Sequence, residues 1–187
     1  RREGGGIPGD WAFYEVALLS GISGCRAGRG LAIGDHNRDG WRDYFYTNTG
    51  DCVLYENNGN SSLTDVSSTS GINGQASTRS SWGTSFWDYD NDGWQDLFVI
   101  SDAHRVDRLF INNGDGTFTE QAEQWGIANL HYGTSATAAD YNGDGWMDLC
   151  VSSAGSTDGI PRAGENLVYR NNGDGTFSEV ADQSGLA

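Results

Sequence analysis

A nine-residue segment used three times constrains this chain more than any other feature. Asp35-His-Asn-Arg-Asp-Gly-Trp-Arg-Asp43, Asp88-Tyr-Asp-Asn-Asp-Gly-Trp-Gln-Asp96 and Asp140-Tyr-Asn-Gly-Asp-Gly-Trp-Met-Asp148 begin 53 and then 52 residues apart. A second pattern fills the gaps: Phe13 to Ile22, Leu63 to Ile72, Phe118 to Ile127 and Phe177 to Leu186, each pair nine apart and each ending on Gly followed by Ile or Leu. A fixed period of about 50 residues means an array of like units, each too small to bury its own core and stable only by stacking on its neighbours.

Within a period the pattern is of short strands cut by glycine-rich turns. In the middle copy the strands fall at Gly83–Trp87, Gln95–Ser101, Arg108–Asn112 and Thr117–Gln121. Helical periodicity is weak, and at most one turn fits within Thr119–Trp125. Four strands per period is the arithmetic of a propeller blade. The chain therefore reads as all-β, a single array over 1–187. A spare outer strand and its connection lie at 12–29, and the blades at 30–72, 82–127 and 133–187. Closed propellers use about four to eight blades. Three leave a ring to be completed by self-association, in an oligomer or a filament, or by further blades of a longer chain.

The nonapeptide offers oxygen at positions 1, 3, 5 and 9 with glycine at 6 for a sharp turn. That density of hard oxygens, with no His or Cys pair beside it, suits calcium rather than zinc. An EF-hand would need a glutamate at position 12, where Tyr46, Val99 and Val151 stand, so the closing carboxylate is the one at position 9. The ligand sets are Asp35, Asn37, Asp39 and Asp43, then Asp88, Asp90, Asp92 and Asp96, then Asp140, Asn142, Asp144 and Asp148. The position 7 carbonyls of Trp41, Trp94 and Trp146 face the ion, and their indoles turn into packing between blades. Asp, Asn and Gly also make good hairpin turns, but a turn needs two or three such residues and all three copies keep four. The Asn-Gly-Asp-Gly runs at 113–116 and 172–175 lack a carboxylate cluster and read as turns. With extracellular calcium modules binding at about 10⁻⁴ to 10⁻³ M, ten- to hundredfold excess stabilises each site by about 1.4–2.7 kcal/mol.

Charge agrees with this reading. The 26 acidic residues outnumber 11 basic ones for a net charge of -15, which opposes binding to nucleic acid or an anionic membrane. Ten of those acids sit in the three loops, and three calcium ions would bring the net charge from -15 to -9. No apolar run approaches the roughly 18 residues of a membrane span. Absence of a leader at Arg1 is read as processing or as a piece of a longer chain. Of three cysteines, Cys25 and Cys52 flank the same strands and are a candidate disulfide, which fits an oxidising compartment. Cys150 aligns with Phe45 and Phe98 and reads as a small core residue.

The Asp-x-Asp/Asn-x-Asp-Gly-x-x-Asp loop between strands, followed by Leu-Tyr/Phe and then Asn-Asn-Gly-Asp-Gly-Thr-Phe, resembles the FG-GAP and VCBS repeats of integrin α subunits, the cartilage acidic protein family and many secreted bacterial proteins. The likeness extends over nearly all of 12–187 and implies a secreted or cell-surface propeller with calcium on the twelve side chains named above. Two departures stand out: Arg38 inside the first loop, expected to weaken that site, and the first turn, Asn58-Gly-Asn-Ser61, which has lost its aspartate.

The function expected first is a non-enzymatic, calcium-stabilised structural or adhesive module that assembles through its unfinished blades. The alternative is a carbohydrate- or protein-binding, lectin-like propeller using the loops that differ between repeats, Thr47–Asp51, Ser101–Asp107 and Ser152–Glu165. These carry His104, Arg105, Asp107, Arg162 and Glu165, whose charges are otherwise ordinary solvated loop groups. Catalysis is disfavoured because His36, His104 and His131 occupy unlike positions and the chain contains no lysine. Asn60-Ser-Ser62 is a sequon on a turn, available for N-glycosylation.

Overall fold

The computed structural model describes residues 28–73, 80–102, 105–154 and 164–184. It is all-β apart from two single helical turns, Ala122–Trp125 and Ala181–Ser184. The first sheet holds β1 (Gly30–Gly34), β2 (Asp43–Thr47), β3 (Val53–Asn57) and β4 (Leu63–Asp65). The second holds β5 (Ser81–Trp87), β6 (Asp96–Ser101), β7 (Arg108–Asn112) and β8 (Phe118–Glu120). The third holds β9 (Gly133–Ala139), β10 (Asp148–Ser153), β11 (Leu167–Asn171) and β12 (Phe177–Glu179). Each sheet runs in sequence order with antiparallel neighbours, so every nonapeptide is the connection between the first and second strands of its sheet. The spare strand expected at 12–29 falls almost wholly outside the described residues, as does Cys25.

The sheets stack face to face in a propeller-like way, with β1 against β5 and β5 against β9. Small residues let those first strands approach. A Cβ on Gly83 would lie 2.7 Å from the Ser135 Cα, so any larger residue there would push two sheets apart. One apolar seam joins Ala32, Phe45 and Leu54 of the first sheet to Phe86, Leu97, Val99 and Phe110 of the second. The other joins Phe98, Ile100 and Leu109 of the second to Ala138, Leu149, Val151 and Tyr169 of the third.

Burial records this order along the strands. Every residue of β6 is buried, as a strand sandwiched on both faces must be, whereas β2 alternates buried and half-buried because, among the described residues, one of its faces has no covering sheet. Cys150 departs from the core role expected of it. Its counterparts Phe45 and Phe98 are fully enclosed, but Cys150 is half-buried and forms the wall of an open cavity. Cys52 is buried, and burial pushes its thiol up from the usual range.

Candidate metal centre in the second acidic loop

Position 9 supplies the framework of each loop. Asp43, Asp96 and Asp148 open the second strand of their sheets and are buried. One carboxylate oxygen accepts the backbone N–H of loop position 2: His36 at 3.0 Å, Tyr89 at 2.8 Å and Tyr141 at 3.2 Å. The other accepts the N–H at the end of the third strand: Asn57 at 2.9 Å, and Asn112 and Asn171 at 2.8 Å. These donors offset part of the cost of burying a carboxylate. In the first loop the His36 ring adds to this, with Nδ1 2.6 Å from Asp43 Oδ2.

Backbone conformation explains positions 4 and 6. Gly40, Gly93 and Gly145 have φ near +90°, where a side chain is strained. Arg38 and Asn91 hold φ of 59° and 58° at position 4, and Gly143 78°. The position 5 carboxylates turn the loop by accepting the N–H of the following Trp, at 2.8 Å from Trp41 and Trp94 and 2.9 Å from Trp146.

The three loops differ in what remains for a cation. In the third, both oxygens of Asp140 are taken by loop N–H groups of Gly143, Asp144 and Gly145, which hold its carboxyl below the usual range. In the first, Asp35 accepts from Asp39 and Gly40. Both loops have Asn at position 3, and its amide donates to the position 5 carboxylate, from Asn37 to Asp39 at 3.1 Å and from Asn142 to Asp144 at 2.8 Å. The second loop has Asp90 there, with no proton to donate. Among the described residues, only Asp88, Asp90 and Asp96 form a group of three or more such side chains with ligand atoms within 4.8 Å of one another. Asp88 Oδ2 accepts from Gly93 at 2.9 Å, but Oδ1 is buried with no hydrogen-bond partner. Burial first, and then the charge of neighbouring carboxylates, raises Asp90; burial pushes Asp96 up to about 8 against the pull of its two N–H donors. An orphaned buried oxygen among acids driven toward protonation is a donor set that fits a hard divalent cation. Asp92, the remaining residue of the set, spends one oxygen on Trp94.

The indoles lie first on their own sheets rather than between sheets, and of the three Trp94 also meets a neighbouring loop, through Arg38. Each lies over the glycine of the hairpin turn in its own sheet: Trp41 on Gly59, Trp94 on Gly114 and Trp146 on Gly173. The reason is the turn's left-handed glycine, with φ of 70°, 74° and 73°, whose missing side chain leaves a flat seat for the ring. Contacts between loops come from position 4 instead. The Arg38 guanidinium sits 5.0 Å from the centre of the Trp94 ring, and Asn91 donates to the Gly145 carbonyl at 3.2 Å.

The Asn that ends each third strand has a part that turn chemistry alone did not reveal. Its side-chain oxygen accepts from the turn glycine, at 3.1 Å in the first sheet and 3.0 Å in the others. Its amide donates within the sheet, to Arg42, Gln95 or Met147 carbonyls. In the second and third sheets it also reaches the preceding loop, Asn112 to His36 at 2.8 Å and Asn171 to Tyr89 at 2.7 Å. The signal was present as Asn-Asn-Gly at 57–59, 112–114 and 171–173, one Asn more than a turn requires. At the first turn Asn60 takes the place of the lost aspartate, accepting from the Ser62 N–H and hydroxyl.

The variable loops also differ from expectation. Asp107 is no solvated charge: it is fully buried, accepts from Ser101 at 2.9 Å, and lies 3.4 Å from His131 Nδ1. Burial raises its carboxyl well above the usual range. Glu165 is exposed, while His104 and Arg162 fall outside the described residues.

A model of the FG-GAP-like repeat family matches residues 88–151. Human cartilage acidic protein 1 is 29% identical over an alignment 149 residues long that covers 72% of this chain and 22% of that protein, so the match spans about a fifth of its length. A solved structure of an Agrocybe aegerita lectin that recognises non-reducing terminal N-acetylglucosamine aligns with a TM-score of 0.46 and 21% identity, over 79% of this chain and 36% of that one. Residues 88–151, from the start of the second loop into β10, are similar to an FG-GAP-like repeat, and the nonapeptide that this stretch contains twice recurs at 35–43.

Proposed function

We infer that this chain is a secreted, calcium-binding propeller module that acts by adhesion or structural support rather than catalysis. The observation that carries this is the Asp88 Oδ1 atom, buried without a hydrogen-bond partner beside Asp90 and Asp96. Such an atom is costly unless a cation meets it. The FG-GAP-like match and the likeness to a protein named for cartilage and acidity support the same class. Two of the three histidines support a non-catalytic role: His36 and His131 are buried beside Asp43 and Asp107 and closed off from solvent. Asp88, Asp90, Asp92 and Asp96 would hold the ion in the second loop, with the Asp35 and Asp140 loops as further sites. The ion supplies positive charge that lets these carboxylates stay ionised while packed together.

The test is thermal unfolding in calcium, in magnesium and in excess chelator. Calcium is expected to raise the midpoint by many degrees and magnesium much less, since octahedral Mg²⁺ keeps its waters. An unchanged midpoint in all three would overturn the metal reading.

A further inference from the structure

The two seams inside the molecule define a repeating interface, and among the described residues each of its two halves is left uncovered once. At each seam the position 2 ring of one loop packs on the aromatic that opens the fourth strand of the next sheet: His36 on Phe118 with centroids 5.9 Å apart, and Tyr89 on Phe177 at 6.0 Å. Their counterpart in the third sheet, Tyr141, is 53% exposed. Beside it lies a cavity of about 250 Å³ walled by Thr137, Cys150 and Val168. By register these are the equivalents of Ala32, Phe45 and Leu54, which the second sheet covers with Phe86.

The opposite face carries the complementary half. Ile33 is the equivalent of Phe86 and of Ala138, the residues that fill the two internal seams, yet it is 55% exposed, and Leu31 beside it is 49% exposed. Asn57 is the equivalent of Asn112 and Asn171, and among the described residues its amide donates within its own sheet but not to a preceding loop. The residues meeting at the seams differ in size: Phe45 packs with Phe86, Phe98 shares a cluster with Ala138, and the small Cys150 leaves room for Ile33.

We propose that the first sheet of one copy docks head to tail on the third sheet of a second copy. Ile33 and Leu31 enter the cavity, Tyr141 covers Leu63, and Asn57 donates to the Tyr141 carbonyl. This continues the interface already made twice within the chain. Two copies joined at both ends would bring six of the described sheets into one array, within the roughly four to eight that closed propellers use. The proposal rests on the propeller-like reading and not on calcium.

Ile33→Asp and Thr137→Arg each spoil one face at an exposed residue, so neither should disturb the fold, which circular dichroism checks. In light scattering with and without calcium, the wild-type chain should be a dimer and each variant a monomer. A 1:1 mixture, at tenfold higher concentration, should form a dimer again through the one intact pair of faces. Cys150 in the Ile33→Asp variant, followed by peptide mass spectrometry, should alkylate at least tenfold faster than in wild type. A monomeric wild type, a dimer indifferent to both variants, a mixture that stays monomeric, or an unchanged Cys150 rate would each overturn the proposal. Calcium binding at the second loop, measured on the same variants, reports separately on the metal reading, since neither substituted residue belongs to that loop.

Discussion

The side-chain amide of Asn112 donates to the backbone carbonyl of His36, 76 residues earlier and one sheet away, at 2.8 Å. This bond ties the end of β7 to the acidic loop of the first sheet, and Asn171 repeats it on Tyr89. The loops are thereby held by their neighbours as well as by their own turns.

Replacing Asn112 with Ala removes that bond, the bond to Gln95 and the acceptor for Gly114. Urea denaturation should show a loss of about 1–3 kcal/mol, the cost of leaving buried polar groups unmet. The adjacent, exposed Asn113, changed to Ala as a control, should stay nearer the wild-type value because its partners lie on the hairpin surface.

Phe86 fills the first seam, edge-on to Phe45 with centroids 6.4 Å apart. Phe86→Ala should cost about 3–5 kcal/mol by cavity formation. In the monomeric Thr137→Arg background, Ile33→Ala, at the equivalent but exposed position, should change the stability by no more than about 0.5 kcal/mol. Equal losses for the two would contradict the sheet order described above.

The acidity of Asp96 sets a pH dependence. Its carboxyl lies at about 8 in the fold, raised chiefly by burial, and near 4 in the unfolded chain. The stability that favours the neutral form is therefore fully present below pH of about 4 and is lost as pH rises through about 8. Melting in chelator should fall steadily across that window. With calcium the fall should shrink, because the ion favours the ionised form, and binding should release protons whose heat scales with the buffer's ionisation enthalpy.

Arg38 is expected from the sequence to weaken the first site, yet its guanidinium lies over Trp94 in the neighbouring loop. Arg38→Ala should cost about 0.5–1 kcal/mol, the range of an exposed cation–π contact, read by the same denaturation experiment.

The repeat made strands and loops legible because spacing alone fixes them. Arg108–Asn112 falls where the sequence places it, and the β5 and β6 bounds shift by two residues or fewer. Side-chain direction was not legible in the same way. The course of the indoles depends on the left-handed glycine of a turn 18 to 27 residues away, and buried Asp107 lies against His131 from the connection that leads into the next sheet. The difference among the loops turned on one substitution, Asp90 for Asn at position 3. It reads as conservative in sequence, but it removes the amide proton that closes the other two loops on themselves.

The central claim is that the second loop holds calcium through Asp88. Isothermal titration of calcium-free protein against Asp88→Asn tests it most directly. The account predicts that wild type binds calcium and that the tightest site disappears in the variant, weakening by at least tenfold while the fold persists. No calcium heat in wild type, or an undiminished tightest site in Asp88→Asn, would contradict it.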